Sequence, residues 1–126
     1  MFSVAIGIIT RQQKILVALR KMDAEGALWE LPGGKIEVGE TAQEALRREL
    51  KEEIGIEVTR AQLVRELNYD YPEYSVHLKI FHVTRFDAEP QGAEGQQVRW
   101  VTFDEFKQLR TLSATALLMD TIQSLV

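Results

Sequence analysis

An α+β fold is what this sequence predicts, and three observations predict it. Apolar runs of strand length, rich in β-branched residues, outnumber helical patterns. The two kinds do not alternate in the regular order that builds a doubly wound parallel sheet. One helix, from about Thr41 to Ile54, carries clear signals at both ends and stands apart from the strands around it. The chain has 126 residues, which suits one domain spanning 1–126 with a modest core.

Taken in order, Phe2 to Thr10 reads as a buried strand. Arg11-Gln12-Gln13 is a turn, and Lys14 to Leu19 is the expected antiparallel partner, with Arg20 and Lys21 emerging at its end. Met22 to Leu28, small and charged, is expected as a loop. Trp29-Glu30-Leu31 is a short extended piece before the turn at Pro32-Gly33-Gly34. Thr41 with Glu44 three residues on is a capping box, and Gly55 stands where a helix ends in a left-handed residue.

Glu57 to Asn68 is expected as a strand and Asn68 to Glu73 as a loop or hairpin tip. Tyr74 to Phe86 alternates over its length and reads as a long strand. Asp87 to Gln97 is a polar surface loop, and Val98 to Val101 a short strand. Thr102 or Asp104 caps a short helix reaching Leu109, and Ser113 or Thr115 starts a final helix reaching Leu125.

The composition excludes several function classes. Net charge is −4, which disfavours broad binding to nucleic-acid polymers. It also disfavours a polyanionic substrate unless a metal and local basic groups offset it. There is no cysteine, so disulfides, thiolate zinc sites and cysteine nucleophiles are out. No apolar run is long enough to span a membrane, and no signal-type N-terminus is visible, so the expected location is cytoplasmic. The expected assembly is a monomer or a homodimer.

The chemistry points to the helix. At about 100° per residue, Ala42, Leu46, Leu50 and Ile54 form one apolar arc, with Ala45 at its edge. Glu49 and Glu53 fall inside that arc and Glu52 borders it, while Glu44, Arg47, Arg48 and Lys51 lie outside. Core-facing carboxylates are costly unless compensated, and two of them four residues apart repel. A divalent cation compensates both at once, and carboxylate oxygens suit magnesium, with manganese as a substitute. The bland alternative is a set of surface glutamates on a helix with a narrow stripe. The flanks argue against it: Pro32-Gly33-Gly34 lets backbone approach a ligand, and Glu37 and Glu40 add acids just ahead.

The segment GKIEVGETAQEALRRELKEEIGI, residues 34–56, resembles the Nudix box at Gly34, Glu40, Arg48-Glu49-Leu50, Glu52-Glu53 and Gly55-Ile56, with no departure. WELPGGKIE before the helix, and EPQGAEGQ and VRWV after it, are similar to the MutT-like branch of that family, so the resemblance spans most of the chain. It implies a Nudix fold, a mixed sheet sandwiched between helices. The implied activity is magnesium-dependent hydrolysis of a nucleoside triphosphate, by water attack on phosphorus, to a nucleoside monophosphate and pyrophosphate.

The resemblance also implies roles. Glu49, Glu52 and Glu53 are metal candidates, with Glu49 and Glu53 the better pair because they share the inward face, and the Gly33 carbonyl completes the shell. Glu94, in Gly92-Ala93-Glu94-Gly95-Gln96, is a further ligand or the general base; Glu49 and Glu53 are also open for that role. By its position on the wheel Arg48 is solvated, whereas the resemblance gives it an orienting salt bridge to a box glutamate. Lys35 and Arg20 are expected near the phosphates.

His77 and His82 lie on opposite faces of one strand and read as structural. Tyr69, Tyr71, Tyr74 and Trp29 are ordinary core or rim residues unless one holds a nucleobase. The final segment departs from the MutT pattern. Where that branch carries an asparagine that reads an oxidised guanine, this chain has Leu112-Ser113-Ala114-Thr115-Ala116, with Thr115 nearest the place. A single hydroxyl lacks the amide's donor–acceptor pair, which argues against 8-oxo-guanine specificity. The alternatives are another nucleoside-diphosphate-linked substrate, such as a pyrimidine triphosphate or nucleotide sugar, and a non-catalytic module that senses nucleotides. The intact set of acids argues against the last.

Overall fold

The computed structural model describes all residues, Met1–Val126. Seven strands form one mixed sheet: β1 (Phe2–Arg11), β2 (Lys14–Asp23), β3 (Gly26–Glu30), β4 (Gly33–Lys35), β5 (Glu57–Asp70), β6 (Ser75–Asp87) and β7 (Val98–Val101). Helix α1 (Ala42–Ile54) lies between β4 and β5; α2 (Phe103–Gln108), a 3-10 segment (Ser113–Leu118) and α3 (Met119–Leu125) close the chain. The strands run in the order β3-β2-β1-β6-β5, with β4 attached to β1 and β7 to β2.

The sheet is buried on both faces because its strands alternate between two cores. Ala5, Ile9, Leu16, Phe81 and Val83 point one way and pack with Leu46, Leu50 and Ile54 of α1. Ile8, Ile15, Val17, Leu78 and Ile80 point the other way and pack with Phe106, Ala114, Leu118 and Ile122 of the C-terminal elements. The helices thus sandwich a mixed sheet. Leu46, Leu50 and Ile54 are fully buried, and each contributes about 1.5–3 kcal/mol of transfer free energy.

Local signals set the helix ends. The Thr41 hydroxyl accepts from Glu44 N at 3.1 Å, and the Glu44 carboxylate accepts from Thr41 N at 2.8 Å. Gly55 ends the helix at φ 70°, in the left-handed region. Thr102 caps α2 in the same reciprocal manner with Glu105.

Four local expectations are corrected. The pairing of β1 with β2 is confined to Thr10↔Ile15 and Arg11↔Lys14 beside the Gln12–Gln13 turn. The main partner of β1 is β6, in parallel from Phe2↔Val76 to Ile9↔Val83, so the strand on which it depends lies far along the chain. Met22 to Leu28 is not a loop: β2 runs on to Asp23 and β3 begins at Gly26, paired through Lys21↔Leu28 and Met22↔Ala27. This hairpin end is solvated, which gives it the polar composition of a loop. Strand β5 continues to Asp70, and Tyr71 N donates to Tyr74 O at 2.8 Å to close the hairpin to β6. The final helix is divided, its first part wound as a 3-10 segment. No helix is long and apolar enough to cross a membrane.

Candidate active site

Strand β4 carries Gly33 and Gly34 along β1, opposite Ile6 and Ala5. Side chains do not fit there. A Cβ on Gly33 would lie 2.1 Å from the Ala5 carbonyl oxygen, and one on Gly34 would lie 2.3 Å from the Glu49 carboxyl carbon. The glycines therefore let backbone lie directly against the acidic face of α1. Gly33 N donates to Glu53 Oε2 at 3.3 Å. Glu49 and Glu53 are both half-buried, on the side of the helix that also buries Leu46 and Leu50.

Arg48 is not left in solvent. Its Nε donates to Glu40 Oε2 at 2.7 Å, and Nη1 to Glu49 Oε1 at 2.9 Å and Glu52 Oε2 at 3.3 Å. Its Nη2 reaches the Lys35 carbonyl at 3.0 Å. One guanidinium thus ties the loop before the helix, the glycine strand and two helix acids together. It holds the Glu40 carboxyl down at about 2, helped by the Glu37 amide. The helical wheel misplaces Arg48 because its long side chain bends across the helix surface to Glu40 and Lys35.

Glu53 stands in the opposite electrostatic situation. Burial pushes its carboxyl up to about 8; the charge of Glu30 adds to the shift, the Gly33 amide opposes it, and Glu49 and Glu94 contribute further repulsion. Glu30 is itself raised by burial, partly offset by Arg20, whose Nη1 lies 3.3 Å from Glu30 Oε2. Four carboxylates therefore share one region, where Arg20 pairs with Glu30 and Arg48 with Glu49.

Glu94 comes to this region because its loop docks on the end of α1. The last helix carbonyls have no partner within the helix. Gln91 N donates to Ile54 O at 3.1 Å and Ala93 N to Glu53 O at 3.1 Å. Glu52 takes a different place, more exposed and held on the outer side by Arg48. No three acidic or histidine side chains converge on a single point as they stand.

A cavity of about 250 Å³ opens on the far side of the two glycines, at the small end for ligand pockets. Arg20, Lys35 and Thr115 all line it, with Glu30, Gly33 and Gly34 at the edge shared with the acids. Phe2, Tyr71 and Tyr74 supply aromatic surface; Phe2 and Tyr74 stack with centroids 5.2 Å apart. Lys35 Nζ lies 4.5 Å from the Phe2 ring centre. The Tyr71 hydroxyl accepts from Ala114 N at 3.4 Å, joining the β5–β6 hairpin to the 3-10 segment beside Thr115.

His77 bonds Asn68 and Glu66, and His82 bonds Thr10, well apart from the acids. Glu30 is the residue that sequence reasoning missed. Its signal is a lone acid between Trp29 and Leu31, both of which are buried in the same core.

Comparison with known proteins finds relatives along most of the chain. A family model described as NUDIX domain matches residues 1–119. The chain is 41% identical over 101 residues to an 8-oxo-dGTP diphosphatase of Escherichia coli, covering 79% of this chain and 78% of that protein. It is 36% identical over 126 residues to a CTP pyrophosphohydrolase of the same organism, covering 99% and 93%. A solved MutT structure, from work on the Aliivibrio salmonicida and Vibrio cholerae proteins, superposes with a TM-score of 0.82 at 36% identity, covering 96% of this chain and 94% of that one.

Proposed function

The chain belongs to the Nudix family, and from that premise we infer that it is a MutT-type nucleoside triphosphate pyrophosphohydrolase. Water adds to a phosphorus of the substrate, the α–β anhydride bond breaks, and a nucleoside monophosphate and pyrophosphate leave. The observation that carries this reading is the Gly33-Gly34 strand, with the acids of α1 on one side and a cavity bearing Arg20 and Lys35 on the other.

The residues fit a divalent cation. Their donors are all oxygen, and the Glu53 carboxyl, raised first by burial and then by the charges of Glu30, Glu49 and Glu94, is one whose ionised form a bound cation stabilises. Glu49, Glu53 and the Gly33 carbonyl would hold magnesium, or manganese in its place, with Glu94 and Glu52 as further ligands. When bound, magnesium supplies neutralisation of the pyrophosphate charge and a water of lowered pKa.

Arg48 keeps Glu49 aimed at the glycine strand. Glu49, Glu53 or Glu94 takes the proton from the attacking water. Arg20 and Lys35 bind phosphate oxygens, and Thr115 faces the base. On this reading the enzyme works in the cytoplasm on the nucleotide pool.

A second reading keeps the chemistry and changes the base. Thr115 in the cavity wall offers a hydroxyl and no amide. A relative that is 36% identical along 99% of this chain acts on CTP by its name. Both favour a pyrimidine triphosphate. Incubating the protein with magnesium and each common and oxidised nucleoside triphosphate tests both readings. Pyrophosphate and monophosphate as the first products are expected; orthophosphate as the first product, or no turnover on any triphosphate, overturns the assignment.

A further inference from the structure

We propose that Gln96 is a positioning residue, whose side-chain amide fixes Glu94 relative to Glu53. Its Nε2 donates to the Glu53 carbonyl at 2.7 Å, and its Oε1 accepts from Glu94 N at 3.0 Å. One planar group therefore spans from the backbone of one site acid to the backbone of another. The proposal rests on reading Glu94 as part of the catalytic site.

The loop is built around that span. Gly95 N donates to Gly92 O at 3.0 Å, closing a turn with Gly95 at φ 85°. A Cβ on Gly92 would lie 1.7 Å from the Gln96 carbonyl oxygen, so the chain can fold back on Gln96 only with glycine there. The turn leaves the Glu94 amide pointing at the Gln96 side chain. The Gln91 and Ala93 bonds to the helix end do not involve this side chain. Losing the amide thus removes one of three bonds from the loop to the helix end and leaves the Glu94 N–H without its partner, while the Gln91 and Ala93 bonds remain. Groups that orient a ligating residue in this way cost about 10–100-fold in metal affinity or activity when removed.

The test is a double-mutant cycle on the full chain with Gln96→Met, Glu94→Gln and the double variant. Each is read by kcat and KM for pyrophosphate release, by manganese affinity from electron paramagnetic resonance, and by thermal midpoint. Amide exchange at residue 94 is followed in the metal-free protein. Gln96→Met should lower kcat and manganese affinity about 10–100-fold. KM should stay within about twofold, and exchange at the Glu94 amide should quicken. In the Glu94→Gln background the Gln96 substitution should add nothing.

Equal losses in both backgrounds, or normal kcat and manganese affinity in Gln96→Met beside an impaired Glu94→Gln, overturn the positioning role alone. A fully active Glu94→Gln overturns the reading of Glu94 and this proposal with it. Should Gln96→Met not fold, Gln96→Asn, whose amide is too short to span both partners, carries the same expectations through the same cycle.

Discussion

Gly34 and Glu49 are matched to each other: a single added carbon on Gly34 would lie 2.3 Å from the Glu49 carboxyl carbon. The glycine makes room for the acid, and the acid occupies the space that the glycine leaves. The neighbouring glycine has a different constraint, since its missing side chain would strike the Ala5 backbone at 2.1 Å. These two positions therefore separate function from folding.

Gly34→Ala should cost activity far more than stability. The obstructing atom is the end of a flexible side chain, which can swing away, carrying Glu49 from its place. Turnover should fall by at least about tenfold while the thermal midpoint drops by only a few degrees. Gly33→Ala meets backbone in the β1 ladder and should cost several kcal/mol of stability. Paired melting curves and kinetics check this; a Gly34→Ala protein with normal turnover would show that Glu49 does not need its observed position.

Glu53 makes the metal-free protein sensitive to pH. Its folded-state value of about 8 lies above the ordinary carboxylate value. The sign follows from linkage: the folded state binds this proton more tightly, so its contribution to stability is full below about pH 4.5 and is lost as pH rises towards 8. Glu53→Gln removes the burden. In a chelator at pH 8 the variant should melt several degrees above the parent, with the gap closing at pH 5. Magnesium should raise the parent's midpoint and leave the variant's nearly unmoved, and magnesium-dependent turnover should vanish in the variant. A Glu53→Gln protein with near-normal activity removes Glu53 from the site.

The contrast between what the residues announce and what they conceal has a physical basis. Helix α1, its Thr41–Glu44 box and its Gly55 cap are set by contacts within a few residues, so their pattern is visible in the chain. The inward placement of Glu49 and Glu53 follows from helical period alone. The parallel β1–β6 ladder joins residues more than 70 positions apart, and apolar periodicity names a strand without naming its partner. Arg20, Lys35 and Thr115 come to one cavity from three separate elements. Only family resemblance suggested them, because each taken singly is an ordinary surface or helix residue. Glu30 acquires its burial and its Arg20 partner only on folding, and the bonds of Gln96 depend on where the helix ends.

Arg48 acts through geometry that only a guanidinium provides. Three of its nitrogens reach Glu40, Glu49, Glu52 and the Lys35 carbonyl at once. Arg48→Lys keeps the charge and loses the fork, so it should lower kcat about 10–100-fold. Glu40→Gln, which weakens the arm holding Arg48 to the loop, should act in the same direction with a smaller loss. Steady-state kinetics at saturating magnesium measure both. If Arg48→Lys matches the parent, charge alone suffices and the orienting role is wrong.

Thr115 tests what the cavity reads. It is a polar residue only 9% exposed, on a wall otherwise rich in apolar and aromatic groups. Thr115→Val keeps the shape and deletes the hydroxyl, so any change reports a hydrogen bond rather than a cavity. Loss of one such bond to a base is worth about 1 kcal/mol, so KM for the preferred nucleotide should rise roughly fivefold with kcat within about twofold. The same hydroxyl donates and accepts through one atom, so it does not span two neighbouring groups of a purine edge as a planar amide does. The parent protein should therefore prefer 8-oxo-dGTP over dGTP by less than about a hundredfold, or about 2.7 kcal/mol. A larger preference, or a Thr115→Val protein with unchanged KM for every nucleotide, would mean that base selection is made elsewhere in the cavity.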